Sequence, residues 1–393
     1  MPDLADLPER LRTIRREIRD EYLQAHSKPW IIGFSAGKDS TLLLQLVLET
    51  LLATPPDARR RQVYVLCNDT LVESPVYQSW VDKALERIRE GVIALNLPVQ
   101  VVKTHPDDNS TFWVNLLGRG YPAPNRTFRW CTDRMKIRPT TKFILDRVDE
   151  AGEVLILLGV RKAESAPRSG RIKGYLEKSD CIRLYPHEDI KNCYIFAPIA
   201  DLSDEDVWQI LLLSRPPWGG DYRDLVTLYR NGKGGECPFV VSQDDTPSCG
   251  TTSARFGCWT CTVVEKDNSL SGLIDSGFEY LEPLADFRER LKAVSADPSY
   301  RSKIRRNGQP GLGPFTLEAR KMLLEELLAL QEETQLSLIT THEIRLIEDQ
   351  WNRDESDATL RDMDRLIQIT LGVTALMIVI RERKSSHYAR PIK

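Results

Sequence analysis

The sequence is organised around eleven residues, Ile31-Ile32-Gly33-Phe34-Ser35-Ala36-Gly37-Lys38-Asp39-Ser40-Thr41. The apolar run at 30–32 predicts a strand that is covered on both faces, and the leucines of 42–47 predict a buried helix. Between them, Gly33 and Gly37 permit a sharp turn whose N–H groups point at one spot. The N-terminus of the following helix adds positive charge there. The stretch therefore predicts an anion site, and phosphate is the anion it suits best.

The polar residues of this loop suit phosphate oxygens. Lys38 supplies a formal charge, and the hydroxyls of Ser35, Ser40 and Thr41 are hydrogen-bond donors. The loop is too short for a Walker A motif. It resembles the S-G-G-x-D-S/T loop of the ATP pyrophosphatases, which cradles the β- and γ-phosphates so that the α-phosphorus is attacked and pyrophosphate leaves. Ala36 stands where that family usually has glycine, and a plain strand-to-helix turn remains the alternative.

Composition and charge limit the function classes. The chain has 393 residues with 41% hydrophobic and 28% charged residues, as in a soluble protein of two to three domains. Its net charge of -3 gives no global attraction to nucleic acid, so a polyanion site must be a local basic patch. We expect a cytoplasmic protein without a membrane partner, because no apolar run reaches the ~20 residues that cross a bilayer. In that compartment the eight cysteines indicate metal or redox chemistry.

Alternating apolar segments predict the fold class. An amphipathic helix at 4–25 should pack on the nucleotide domain. Further segments are expected as follows: strands at 62–67, 99–104, 154–159 and 194–199, and helices at 76–93 and 204–213. Such alternation predicts an α/β fold with a doubly wound, mostly parallel sheet.

Polar residues follow the predicted strands, where α/β sheets bind ligands. Asp69 is a candidate for ribose, magnesium or structural capping, with a simple turn residue as the alternative. Arg161 and Arg168 are placed to hold phosphate oxygens. The long polar and aromatic connection at 109–127 suits a functional loop.

The segment 126–139 combines five basic residues with aromatic rings, and only one aspartate interrupts it. This pattern suits a phosphate-bearing substrate with bases or sugars to stack on. Cys131 is flanked by Arg129, Arg134 and Lys136, cations that would favour its thiolate and make it nucleophilic. A buried structural cysteine is the alternative.

Four ordered motifs then carry a more specific resemblance. They are the 35–41 loop, Arg-Trp-Cys-Thr-Asp-Arg-Met-Lys at 129–136, Gly-Val-Arg-x-x-Glu-Ser-x-x-Arg at 159–168, and Pro-Ile-x-x-Leu-Ser-x-x-Asp-Val-Trp at 198–208. Together they resemble the PAPS-reductase-like branch of the ATP pyrophosphatase superfamily, an adenine nucleotide alpha-hydrolase-like fold, over about residues 28–215. The resemblance implies ATP and Mg²⁺ as ligands. The residues predicted to hold them are Ser35, Ala36, Gly37, Lys38, Asp39, Ser40, Thr41, Asp69, Arg129, Arg134, Lys136 and Arg168, with Lys38, Asp39, Cys131 and Arg161 as catalytic residues.

A cysteine cluster follows this region. Cys237, Cys249, Cys258 and Cys261 have eleven, eight and two residues between successive members. Prolines and glycines between them let the sulfurs converge, which predicts a metal site. Tetrahedral thiolate coordination permits zinc or an iron–sulfur cluster, and the spacing leaves both open. The remaining cysteines Cys67, Cys181 and Cys193 are interpreted as structural.

The wider stretch 236–267, with Gly-Pro-Phe-Thr-Leu-Glu-Ala-Arg at 313–320, resembles the DndC-type proteins of bacterial DNA phosphorothioation, including the equivalent protein of the Ssp system. The resemblance implies a 4Fe-4S cluster on the four cysteines, with Zn²⁺ as the alternative. It also implies DNA, a cysteine desulfurase as sulfur donor and other phosphorothioation proteins as partners. Adenylation of a DNA phosphate by ATP would let a non-bridging oxygen leave as AMP, and sulfur would pass through Cys131 or the cluster.

Two rival functions remain open. One is a PAPS or adenylyl-sulfate reductase that uses Cys131 without cleaving ATP. The other is a non-catalytic, nucleotide-sensing iron–sulfur subunit that binds DNA or assists assembly, which Ala36 favours.

The predicted domains are an N-terminal helix at 1–27, an ATP pyrophosphatase domain at 28–215, a cysteine-rich iron–sulfur segment at 216–275 and a helical accessory subdomain at 276–393. Helices are expected at 317–331 and 341–351. Arg301, Lys303, Arg305 and Arg306 form a basic patch that suits either DNA contact or a solvated loop.

Overall fold

A six-stranded sheet forms the centre of the computed structural model, which describes residues 6–162, 184–231 and 257–356. The strands are β1 (Trp30–Gly33), β2 (Val63–Asn68), β3 (Val99–Thr104), β4 (Val154–Leu157), β5 (Leu184–Pro186) and β6 (Cys193–Phe196). Their order is β3-β2-β1-β4-β6-β5, and every neighbouring pair is parallel except β5 and β6. The predicted mostly parallel sheet is therefore confirmed.

Ten helices of at least eight residues surround this sheet or follow it within the described residues. They are α1 (Leu7–Tyr22), α2 (Lys38–Ala53), α3 (Pro75–Ala94), α4 (Arg138–Ala151), α5 (Asp204–Leu213), α6 (Arg223–Asn231), α7 (Asn268–Asp275), α8 (Glu282–Ala296), α9 (Leu317–Thr334) and α10 (341–356). No helix in this part of the chain is both long and apolar enough to cross a membrane.

Both faces of the sheet are covered, which makes the fold doubly wound. Successive residues of β1 point to opposite faces, so Ile32 joins the core under α2, α3 and α5, whereas Ile31 joins the core under α4. The strand order reverses between β1 and β4. At such a reversal the carboxyl ends of parallel strands leave a crevice that binds ligands.

The N-terminal helix is shorter than predicted within the described residues, since α1 covers Leu7–Tyr22 rather than 4–25. Its packing on the nucleotide domain is confirmed. Arg10 forms two 2.9 Å hydrogen bonds with Asp206 of α5, and Arg15 lies 2.8 Å from Glu49 of α2.

The predicted polar loop at 109–127 is largely a buried structure. It contains a helical turn, Val114–Gly118, and Phe112 and Trp113 are buried beside it. Their rings pack in a second core with Trp259 and with residues of α8 and α9. Large aromatic side chains gain more from this burial than from exposure in a loop.

The helices predicted near the C-terminus are confirmed, since α9 and α10 cover 317–331 and 341–351. The predicted residues Arg168, Cys181, Cys237 and Cys249 lie outside the described residues.

Candidate functional site

The loop between β1 and α2 lies at the carboxyl edge of the sheet. Gly37 has an extended backbone and precedes the first residue of α2. The Ser40 hydroxyl lies 3.2 Å from the Ser35 hydroxyl and donates a 3.0 Å hydrogen bond to the Gly37 carbonyl. The loop is thus closed by its own hydroxyls around the N-terminus of α2, where N–H groups attract anions.

Helix α3 holds the loop from one side. Ala36 has a left-handed backbone with φ of 56°, and its carbonyl accepts a 3.2 Å hydrogen bond from the Trp80 indole. The Tyr77 hydroxyl donates to the Ser35 carbonyl. These two aromatic residues keep the loop in a conformation that an alanine seldom adopts. The sequence offered no motif for either contact.

Two buried cations meet at this loop. Lys38 Nζ lies 3.1 Å from Asp39 Oδ2 and 3.0 Å from Asp204 Oδ1. Arg161 reaches the same two carboxylates, with Nε 2.6 Å from Asp39 Oδ1 and Nη2 2.9 Å from Asp204 Oδ1. The structure therefore brings together three of the predicted catalytic residues, Lys38, Asp39 and Arg161.

Asp204 was missed by the sequence analysis. It is the first residue of α5, and 60% of its side chain is exposed while the Lys38 side chain is 6% exposed. A carboxylate at the start of a capped helix is common enough that the sequence carried no functional signal.

Gly159 and Tyr229 were also missed. A Cβ atom at Gly159 would lie 2.9 Å from the Asp39 carbonyl oxygen, so only glycine lets the end of β4 approach the loop so closely. The Tyr229 hydroxyl accepts a 3.1 Å hydrogen bond from the Lys38 amide, and its ring lies 5.7 Å from Lys38 Nζ. Of these two residues, only Gly159 could have been recognised from the sequence, because it is a glycine at the end of a predicted strand.

Asp69 makes structural contacts at the end of β2. Its Oδ1 accepts a 2.8 Å hydrogen bond from the Leu71 amide, and its Oδ2 lies 2.7 Å from Lys103 Nζ. Among the predicted roles, these contacts correspond to structural capping.

The aromatic residues of the 126–139 segment are only partly available for stacking. Trp130 is 6% exposed and stacks on Phe112 at 5.3 Å in the second core, so its ring is not available to stack on a substrate. Phe128 is 43% exposed and lies 6.0 Å from the Tyr121 ring. The order of aromatic residues in the sequence does not indicate which of the two rings is buried and which is exposed.

The thiol of Cys131 is not activated by its basic neighbours. Burial, reinforced by Cys261, raises the pKa of the Cys131 thiol to about 12, and the opposing effect of Lys136 is smaller. Lys136 acts in the predicted direction and favours the thiolate, but desolvation outweighs its charge and the pKa of the thiol rises. Its assignment as a catalytic residue stays a prediction.

Cys258 and Cys261, the two predicted metal ligands that are described, share one turn. The Cys261 amide donates a 3.1 Å hydrogen bond to the Cys258 carbonyl, and Cys258 Sγ lies 3.2 Å from Thr70 Oγ1. Two thiols on one turn are suitable donors for zinc or iron–sulfur clusters. Within 6–162, 184–231 and 257–356 no group of three metal-ligating side chains is assembled.

Comparison with known proteins gives a family match. Residues 29–264 match the model of the phosphoadenosine phosphosulfate reductase domain. An uncharacterised protein of Methanocaldococcus jannaschii is 26% identical over 195 residues, which are 50% of this chain and 34% of that protein, so the chain spans about a third of its length.

Two solved structures are also similar. Phosphoadenylyl-sulfate reductase from Candida auris, in a phosphate complex, is 12% identical with a TM-score of 0.33, over 54% of this chain and 87% of that one. The U34-tRNA thiolase of Methanococcus maripaludis with its 4Fe-4S cluster is 13% identical with a TM-score of 0.32, over 72% and 79% of the two chains.

Proposed function

Because the chain belongs to the phosphoadenosine phosphosulfate reductase domain family, we propose that it is an ATP pyrophosphatase that adenylates a DNA backbone phosphate and helps to replace a non-bridging oxygen by sulfur. The observation that supports this most directly is the meeting of Lys38 and Arg161 at the N-terminus of α2. Two buried cations beside a helix N-terminus suit the β- and γ-phosphates of ATP better than a less charged ligand.

The ion pairs indicate how ATP would enter. Asp204 is the exposed member of the network, so ATP phosphates can take its place beside Lys38 and Arg161. Asp39 is buried between both cations and would keep them in position. Ser40 and Thr41 would supply hydroxyls to the phosphates and their Mg²⁺. These positive charges would then stabilise the pyrophosphate that leaves from the α-phosphorus.

Adenylation would convert a phosphate oxygen into a better leaving group. A non-bridging phosphate oxygen is a poor leaving group, but it leaves readily as part of AMP. In the proposed second step, the terminal sulfur of a persulfide attacks the phosphorus and the P–O bond to AMP breaks. A second thiol then cleaves the S–S bond and leaves sulfur on the DNA. The persulfide would originate from a cysteine desulfurase.

The cysteines provide two candidate routes for this sulfur. Cys131 is one carrier, and the other is a 4Fe-4S cluster or Zn²⁺ on Cys237, Cys249, Cys258 and Cys261. A bound cluster would supply iron at which sulfur can be held.

A sulfonucleotide reductase is the second candidate, and the family match favours it. Such an enzyme would use Cys131 as its nucleophile and would not cleave ATP. Cys131 would have to react as a thiolate both here and as a sulfur carrier, so cleavage of ATP is what distinguishes the two functions.

Pyrophosphate release from ATP, in the presence of duplex DNA, tests the proposal. Lys38→Ala should lower the rate by at least ~100-fold, as expected when a transition-state charge loses its partner. Lys142→Ala is the matched control, because the Lys142 side chain is 71% exposed and lies on α4. Wild-type rates in Lys38→Ala would contradict the proposal, and thiol-dependent sulfonucleotide reduction without pyrophosphate would establish the second candidate.

A further inference from the structure

Two arginines enclose Tyr121 on the surface of the second core. The guanidinium carbon of Arg134 lies 5.3 Å from the Tyr121 ring centroid, and that of Arg306 lies 4.6 Å from it. Arg134 Nη2 also donates a 2.9 Å hydrogen bond to the Tyr121 hydroxyl. Cation–π contacts of this kind partly offset the repulsion between the two arginines.

Two further arginines join this pair. Burial lowers the pKa of Arg119, and the positive charges of Arg134, Arg306 and Arg353 lower it further. We call Arg119, Arg134, Arg306 and Arg353 the arginine cluster. Its members come from three parts of the chain, which the fold brings together. Arg306 and Arg353 are exposed, and Arg119 and Arg134 are half-buried.

In the described part of the chain, no carboxylate forms an ion pair with the arginine cluster. Asp354, the neighbour of Arg353, pairs instead with Arg320 at 2.8 Å. The cluster donates to neutral oxygens: Arg119 to the Asn115 side chain at 2.8 Å, Arg353 to the Asp349 carbonyl at 3.2 Å, and Arg306 to the Arg119 carbonyl. Four like charges that converge repel one another, and a bound anion would relieve this repulsion.

The fold holds this charge in place. Arg306 belongs to the loop 301–316, whose Phe315 amide donates a 2.7 Å hydrogen bond to the Gly120 carbonyl. Gly120 has φ of 72°, and a Cβ atom there would lie 3.0 Å from the Phe315 carbonyl oxygen. Arg301, predicted to be part of a basic patch, instead donates 2.7 and 2.8 Å hydrogen bonds to the Gly313 and Ser295 carbonyls. It stabilises the loop rather than presenting its charge.

We propose that the arginine cluster binds the phosphodiester backbone of DNA, with the exposed Phe128 ring beside it. Guanidinium groups bind phosphates in a planar, bidentate manner, and a repeating polyanion can engage several of them at once. An aromatic ring beside such cations is typical of nucleic-acid contacts. This inference rests on the proposed function, which makes DNA the substrate, and it states where the DNA is held.

Fluorescence anisotropy with a labelled 30-base-pair DNA duplex, titrated at several salt concentrations, tests the site. The double variant Arg306→Glu and Arg353→Glu should bind at least ~10-fold more weakly, and its log–log salt slope should be smaller by about two. The control double variant, Arg12→Glu and Arg89→Glu, makes the same charge change at exposed arginines that pair with Glu9 and Glu86. Equal losses in both variants would overturn the proposal.

Two further measurements test whether charge is what matters and whether DNA is the preferred nucleic acid. Arg306→Lys with Arg353→Lys keeps the charge and should retain most of the salt slope, whereas loss of the slope there would overturn a backbone-binding role. A duplex RNA of the same sequence that binds more tightly, through the same residues, would overturn DNA as the partner. Lys38-dependent pyrophosphate release at saturating duplex DNA is measured in the wild type as well. Its absence would count against the proposed function, while the DNA-binding result would stand by itself.

Discussion

Ala36 shows how a single residue sets the shape of the phosphate loop. A left-handed backbone costs an L-residue about 1–2 kcal/mol, because its Cβ approaches the following carbonyl. The loop tolerates this at Ala36 since the Trp80 and Tyr77 side chains bind the carbonyls of Ala36 and Ser35. Strain of this kind often accompanies binding sites, where the surrounding structure over-determines the backbone.

Substitutions at Ala36 should distinguish the effect of backbone strain on stability from the effect of side-chain size. Ala36→Val should lower the free energy of unfolding by about 2 kcal/mol or more and weaken ATP binding, since β-branching disfavours positive φ and the site is fully buried. Ala36→Gly should stay within ~1 kcal/mol of the wild type, because relief of strain offsets the added freedom of the unfolded chain. Denaturant unfolding and ATP titration measure both effects. Wild-type stability in Ala36→Val would contradict the left-handed conformation.

The start of α5 links two helices to the nucleotide site. Ser203 Oγ accepts a 3.1 Å hydrogen bond from the Asp206 amide, and Asp206 Oδ2 accepts a 2.8 Å bond from the Ser203 amide. Arg10 of α1 binds both oxygens of Asp206. Because Asp204 lies inside this cap, α1 and the capping box together determine where Asp204 meets Lys38 and Arg161.

The Asp206 interactions predict a pH-dependent stability. Burial acts to raise the pKa of Asp206, but hydrogen bonds from Arg10 and Ser203 outweigh burial and hold the pKa below its usual value of 3.8. The ionised carboxylate should therefore stabilise the fold at pH values above the usual pKa of an aspartate, and this stabilisation should disappear as the pH falls through the folded-state pKa.

Denaturant unfolding of Asp206→Asn between pH 3 and 8 measures the effect. The wild type should be more stable than this variant at pH 6, and the difference should shrink in acid. Asp224→Asn is the control, because Asp224 is 61% exposed and its contact with Arg87 is 3.4 Å. An Asp206→Asn difference that is constant across this pH range would contradict the linkage.

At the scale of the whole molecule, the two candidate sites lie on different cores. The phosphate loop packs on the core between the sheet and α2, whereas Tyr121 packs on the core that includes α8 and α9. The segment 112–135 belongs to the second core although it lies between two strands of the sheet in sequence. It thereby connects the nucleotide domain with the C-terminal helices.

The second core should make a large contribution to stability. Leu327→Ala should lower the free energy of unfolding by about 2–5 kcal/mol, because Leu327 is fully buried in this core. Leu328→Ala, at a neighbouring position that is 36% exposed, should cost less than ~1 kcal/mol. Thermal and denaturant unfolding compare the two. Equal effects would show that α9 does not pack as described.

The sequence by itself determined the sheet, the helices and the phosphate loop. Apolar alternation and the glycines around Ser35 are local patterns, and local patterns predict local structure. This is why the strand following Gln62 and the helix beginning at Lys38 were predicted closely.

Only the tertiary structure decided which side chains meet. Asp204 and Gly159 reach the phosphate loop from distant parts of the chain, Trp130 is buried and Cys131 is partly buried against the second core, and Arg119 joins Arg306 across a long sequence separation. Burial and electrostatic surroundings depend on packing between segments, and neither composition nor spacing encodes that packing locally.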